Sequence, residues 1–207
     1  MTSASTTPNV LPETRTTTLL LDSLRSSGDS VAWEWFYTRY RPVIEGVARR
    51  LGLSRETAED VAQQTMADFA AAYRAGKYER GRGRLRSFLI AIAHHRAVDA
   101  MRARRPREHQ MASRIDAADE KTLTSAWDAE RLRVISARAM EELRESPRSS
   151  GENIDAFEMI IMRGLSYEEV SVATGIPVDN LYVVKNRLTP RLREIIQRMT
   201  EEYDRDE

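Results

Sequence analysis

The sequence predicts an all-α chain made of two small helical domains joined by a flexible linker. Three observations carry this. Apolar residues recur at three- and four-residue intervals along most of the chain, as in helices with one buried stripe, and strand-like alternation is almost absent. Helix punctuation stands at Ser54, Ser166 and Gly175. Residues 106 to about 125 carry few large apolar side chains and read as a tether, so 106–129 is taken as the linker. A length of 207 residues with 41% hydrophobic and 7% aromatic residues suits one or two domains with modest cores.

Residues 1–17, rich in Thr and Ser with two prolines and no apolar period, predict a disordered tail. Leu19–Arg25 predicts a short helix. After Gly28 and Asp29 a longer helix places Trp33, Phe36, Tyr37, Tyr40, Ile44, Val47 and Leu51 on one face, with a bend at Pro42. Ser54 then caps a helix through Tyr73 with a buried stripe of Ala58, Val61, Ala62, Thr65, Met66, Phe69 and Tyr73. Asp60, Gln63 and Gln64 share its opposite face. Beyond the loop KYERGRGRLR, a helix over Ser87–Arg104 turns Phe88, Leu89, Ile92, Ala93, Ala97 and Met101 inward. The first domain therefore spans 18–105. In the second, 130–199, Leu132–Leu143 resumes a helical period, 146–153 is a turn, and Ile154–Arg163 is a further helix; 200–207 reads as an acidic tail.

Residues 165–192, LSYEEVSVATGIPVDNLYVVKNRLTPRL, predict two short helices around a tight turn, the pattern of a DNA-reading helix-turn-helix. Ser166 and Glu169 form a capping box, and Leu165 can staple onto Val170. Val170, Ala173, Ile176 and Leu181 face a small core, and Gly175 can take the left-handed conformation that ends a helix. Pro177 does no harm near the first position of the next helix. There Leu181, Val184 and Leu188 point inward and leave Tyr182, Lys185, Asn186 and Arg187 to enter a major groove. Pro190 removes one helical hydrogen bond, so a continuous helix over 178–198 is not expected. The plainer reading of the same residues is a helical hairpin with a solvated basic face.

Composition excludes several classes. No Cys is present, so disulfides and thiolate metal sites are excluded and a reducing compartment is suited. His94 and His95 are adjacent on a helix and point about 100° apart without a third ligand nearby; no metal site and no cofactor are expected. No apolar run approaches the roughly 20 residues that span a bilayer, and the start lacks a basic segment followed by an apolar one. The chain reads as soluble and cytoplasmic. Its formal net charge is zero, from 32 basic and 32 acidic residues, yet the charges are segregated. Arg74 to Arg114 holds twelve Arg or Lys against three acids, and Lys185 to Arg198 holds five against one.

From Leu19 to Met199 the chain resembles a bacterial sigma factor of the sigma-70 family, in its extracytoplasmic-function (ECF) group. AEDVAQQTMADF at 58–69 resembles that family's region 2.2, RLRSFLIAIAHHRAVDAMRARR at 84–105 its regions 2.3 and 2.4, and residues 165–192 its region 4.2. The resemblance implies a sigma region 2 helical bundle and a sigma region 4 helix-turn-helix. It also implies a promoter-recognition subunit that binds core RNA polymerase at the clamp helices and flap, with promoter DNA and an anti-sigma factor as further partners and no catalytic residue. It places Asp60, Gln63 and Gln64 against the clamp helices. It assigns Arg82, Arg84, Arg86, His95, Arg96 and Arg102 to the minus-ten element, where Gly81 and Gly83 allow close backbone approach and arginines meet phosphates or unstacked bases. Tyr182, Lys185, Asn186 and Arg187 map onto positions that contact the minus-thirty-five element, with Arg191 available for phosphate. Departures from the family's commonest form are Phe88 in place of Trp, His95 in place of Asn, and the Arg-rich loop before them. Asp99 can orient Arg102 or Arg96 through a helical pair.

Two other classes remain on the residues alone. A one-component regulator would use the helix-turn-helix without binding polymerase, and a pull-down with core enzyme separates the two. A nucleic-acid enzyme would need a nucleophile–base pair, a metal-ordered carboxylate cluster or a Gly-Lys-Ser/Thr phosphate loop, and the sequence has none.

Overall fold

The computed structural model describes residues 30–79, 83–103, 113, 115, 117–146 and 150–205. These form seven helices and no strand: α1 Ser30–Arg50, α2 Arg55–Arg74, α3 Leu85–Arg102, α4 Glu120–Glu145, α5 Gly151–Ile161, α6 Tyr167–Thr174 and α7 Val178–Arg205. The all-α expectation holds. The tail at 1–17, the helix over Leu19–Arg25 and the loop residues Gly81 and Arg82 lie outside the described residues.

α2 starts as the sequence signals, because the Ser54 side chain accepts a hydrogen bond from the Thr57 amide. Its stripe from Ala58 to Tyr73 is buried as expected. Against it, α1 contributes Phe36, whose ring stacks on Phe69 at 4.7 Å and 13°. One residue of the expected α1 face differs: Tyr37 is 39% exposed. α1 packs on α2 along one side and on α4 along another, which centres its buried stripe on Phe36, Tyr40, Val43 and Val47 and leaves Tyr37 at the margin.

The flexible linker over 106–129 does not hold for its second part. Residues 120–129 belong to α4, whose start is capped by Asp119 accepting from the Thr122 amide at 2.8 Å. Few apolar residues stand in this stretch, but they are decisive: Trp127 is 1% exposed, and with Leu123 it enters the core that holds Phe36 and Phe69. α4 is 26 residues long, about 39 Å. Its first half packs with α1 to α3, while Ala139, Met140 and Leu143 join Ile154, Phe157, Val184 and Leu188 in the second core. One rigid element is thus shared by both halves.

α4 approaches α1 closely at Gly46, where an added Cβ would overlap the Glu130 carboxylate. Glu130 is 5% exposed and is held between Arg50 at 2.5 Å and Arg133 at 2.6 Å. Burial opposes its ionisation most strongly, yet hydrogen bonds from Arg133 and Arg50, with their charges, outweigh that and hold the carboxyl below its ordinary value.

The C-terminal end also corrects the sequence reading. α7 runs unbroken through Pro190 to Arg205. Pro190 and Asn186, whose carbonyl loses its donor, both lie on the exposed side, so solvent can satisfy that oxygen and the helix continues. Residues 200–205 are not a tail. Tyr203 is 4% exposed, packs edge-on to Tyr40 at 5.5 Å, and donates a hydrogen bond to the Arg39 carbonyl at 2.8 Å. Arg198–Glu142 and Arg131–Asp204 ion pairs tie the same end of α7 to α4.

Candidate nucleic-acid interface

The helix-turn-helix is built by local signals. The Ser166 amide donates to the Glu169 carboxylate at 2.8 Å while the Glu169 amide donates to the Ser166 hydroxyl at 3.2 Å, closing the capping box. The bond from the Ser166 backbone, then that from its side chain, holds the Glu169 carboxyl below its ordinary value. Gly175 ends α6 at φ 72°. Ala156, Val170 and Leu181 form the core beneath, with Leu165, Tyr167 and Ile176 packed on it. Ala173, expected in that core, is exposed: an eight-residue helix reaches the core through the row of Tyr167, Val170 and Thr174, and Ala173 falls on the far side.

On α7 the inward set Leu181, Val184 and Leu188 is buried, and Tyr182, Asn186 and Arg187 are exposed. Lys185 is half-buried, with its ammonium 5.5 Å from the ring of Tyr167. Tyr167 also stacks on Tyr182 at 4.0 Å and 20°, so one ring positions two of the predicted reading residues. The sequence reading missed Tyr167; its signal is an aromatic directly after the cap residue. It also missed Val183, exposed on the same side of α7. Arg191, expected at phosphate, is half-buried and donates to the Ser146 hydroxyl at 2.6 Å, which ties α7 to the end of α4.

The basic surface of α3 divides into two kinds of arginine. Arg84, at the N-cap, and Arg102, in the last turn, are exposed, as is His95. Arg86 is largely covered and donates to Asp128 of α4 at 2.9 Å. Arg96 makes a two-pronged contact to Asp68 of α2, at 2.5 and 2.8 Å, and that carboxylate holds its guanidinium more firmly charged. Both act first as helix-to-helix braces, a role that sequence spacing did not reveal. Asp99 lies 3.3 Å from His95 Nε2, and its charge also acts on Arg96, one of the two partners the sequence suggests. His94 turns the other way, its Nε2 2.7 Å from the Ile115 carbonyl. Phe88 is half-buried against Tyr78 and Phe69, at 5.3 and 6.1 Å.

Asp60, Gln63 and Gln64 are all exposed on one side of α2. Gln63 also lines an open groove of about 450 Å³ between α1 and α2, shared with Trp33, Tyr37, Met66 and Arg74. The Arg74 guanidinium lies 5.2 Å from the Trp33 ring. The α2 face therefore combines amides and a carboxylate with an aromatic margin, a surface suited to a protein more than to a polyanion. Among the described residues no His, Asp and Glu group could hold a metal ion, and no helix is long and apolar enough to cross a membrane.

Among the described residues the chain is all-helical, with a helix-turn-helix on one half and a basic helix on the other, features that a DNA-binding transcription protein uses. Residues 36–107 match the sigma-70 region 2 family, a span that runs from within α1 to beyond the end of α3. The chain is 29% identical over 175 residues to the ECF RNA polymerase sigma factor SigK of Mycobacterium ulcerans, covering 80% of this chain and 84% of that protein. It is 23% identical over 182 residues to the ECF RNA polymerase sigma factor RpoE of Cereibacter sphaeroides, covering 87% and 93%. Over 36–107 the chain is thus similar to sigma-70 region 2, and over most of its length it is similar to ECF sigma factors.

Proposed function

We propose that this chain binds core RNA polymerase and directs promoter recognition, promoter melting and the start of transcription. One observation carries the reading: a region 2 match over 36–107 and a capped helix-turn-helix with Tyr182, Asn186 and Arg187 exposed stand on one chain. A one-component regulator accounts for the second feature but not the first.

In this reading residues 18–105 bind polymerase and the minus-ten element, and residues 130–199 bind the minus-thirty-five element. Asp60, Gln63 and Gln64 dock on the clamp helices. Arg84, His95 and Arg102 face the opened strand, with Arg82 in the preceding loop, while Arg86 and Arg96 shape that surface from within their ion pairs. Tyr182, Lys185, Asn186 and Arg187 read the minus-thirty-five duplex, and Arg191 holds the helix that presents them. The protein performs no covalent step; opening the duplex costs a few kcal/mol per unstacked base step, which captured bases partly offset. It works in the cytoplasm, where polymerase is, and an anti-sigma factor would act by masking these faces.

Runoff transcription with purified core polymerase on a promoter library tests the whole reading; no transcript from any template refutes it. Lys185→Ala with Asn186→Ala is expected to weaken promoter binding by about 10-fold or more while leaving capture by core polymerase whole. Loss of both would overturn the division of labour. Asp60→Ala with Gln63→Ala is expected to weaken capture while the chain keeps its affinity for minus-thirty-five duplex, and unchanged capture would remove both residues from the interface.

A further inference from the structure

We propose that Val183 reads the 5-methyl group of a thymine in the minus-thirty-five duplex, and so adds a base preference that its polar neighbours cannot supply. The proposal rests on the reading of α7 as the helix that enters the major groove. Val183 is 63% exposed. A single exposed apolar residue is ordinary on a protein surface; its position is what distinguishes this one. Successive helical residues rotate by about 100°. Taking Tyr182 as zero, Asn186 falls at about 40°, Val183 at about 100° and Arg187 at about 140°, while the core residues Val184, Leu188 and Leu181 span about 200° to 260°. Val183 thus lies between Asn186 and Arg187 on the wheel, about 50° from the direction opposite the core and well within the arc that faces away from it. Lys185, at about 300°, lies beside the core edge, in agreement with its half-buried side chain over Tyr167.

The chemistry of that position is specific. A β-branched side chain on a helix is nearly confined to one χ1 rotamer, so Val183 presents its two methyl groups in a fixed direction at little entropic cost. In the major groove thymine alone offers a methyl; cytosine offers an amino donor, which an apolar side chain would leave without a partner. On either side, Asn186 can pair with adenine and Arg187 with guanine or a phosphate. The helix therefore carries a polar–apolar–polar reading row, with its apolar member matched to thymine.

The test uses holoenzyme reconstituted from the full chain and core RNA polymerase, with a duplex selected from a pool randomised over the minus-thirty-five region. Each thymine of the selected duplex is replaced in turn by deoxyuridine, which removes the methyl and nothing else. At one position the wild-type holoenzyme is expected to lose about 3- to 10-fold in affinity. Val183→Ala is expected to lose that dependence, binding the thymine and uridine duplexes within about 2-fold of each other, whereas Lys185→Ala retains it. Alanine is the better helix former, so the exposed substitution does not threaten the fold, and capture by core polymerase checks this. If no position prefers thymine over uridine, or the preference survives in Val183→Ala, the assignment is overturned. If Val183→Ala instead loses capture by core, Val183 is a protein contact and the assignment also fails. A holoenzyme that selects no sequence at all overturns the DNA-reading role of α7 itself, which separates failure of the underlying reading from failure of this one.

Discussion

Tyr203→Ala should cost about 3 kcal/mol of stability, although it alters a residue that the sequence places in a charged C-terminal stretch. The magnitude follows from what the ring touches. Tyr203 is 4% exposed, lies edge-on to Tyr40 at 5.5 Å, covers the Arg39 guanidinium at 4.1 Å, and donates to the Arg39 carbonyl at 2.8 Å. Removal of a buried aromatic costs about 3 to 5 kcal/mol, and the lower end applies near a helix terminus, where the site can relax. Tyr203→Phe isolates the hydrogen bond, worth about 1 kcal/mol. Urea unfolding followed by tryptophan fluorescence is the assay, because Trp35 also lies against the Arg39 guanidinium, at 4.4 Å. With a slope near 2 kcal/mol per molar urea, the alanine midpoint should fall by about 1.5 M. A loss below about 0.5 kcal/mol, the range of ordinary surface substitutions, would refute the docking of α7 on α1 and restore a free tail.

Two further predictions concern the α1–α4 contact. Because the Glu130 carboxyl is held below its ordinary value, its ion pairs contribute stability above that value, 4.5, and the contribution is lost as pH falls through the lower folded-state value. The stability difference between wild type and Glu130→Gln should therefore be largest near neutral pH and shrink in acid; a difference independent of pH would show that the charge is not engaged. Gly46→Ala should destabilise by about 1 to 3 kcal/mol despite its better helix propensity, since the new Cβ overlaps the Glu130 carboxylate. Adding Glu130→Ala should recover part of that loss, and strict additivity in the double-mutant cycle would refute the steric reason.

Legibility followed range. The Ser54 cap, the Ser166–Glu169 box and the Gly175 stop act between residues at most four apart, and the structure forms all three as read. The stripe of α2 and the inward face of α7 were legible for the same reason, since one helix sets their periodicity. Composition misled where a few residues decide the outcome. Residues 106–129 are poor in large apolar side chains, and yet Leu123 and Trp127 enter the core beside α1, together with Val134 and Ile135 further along α4. Proline removes a donor and so predicts a kink or an end at Pro190, but whether solvent can satisfy the abandoned carbonyl depends on which side of α7 faces the core.

By itself, then, the sequence determined the helical class, most helix starts and stops, the candidate DNA-reading face and the family resemblance, because each rests on neighbours along one turn or on short motifs. The tertiary structure decided which cations stay at the surface. Arg96 is taken up by Asp68, 28 residues away, Arg86 by Asp128, 42 away, and Arg191 by Ser146, 45 away. It also decided that Tyr203 rests on Arg39 across 164 residues. Such pairings arise only when helices formed separately pack on α4, and no local period records which distant side chain will stand opposite.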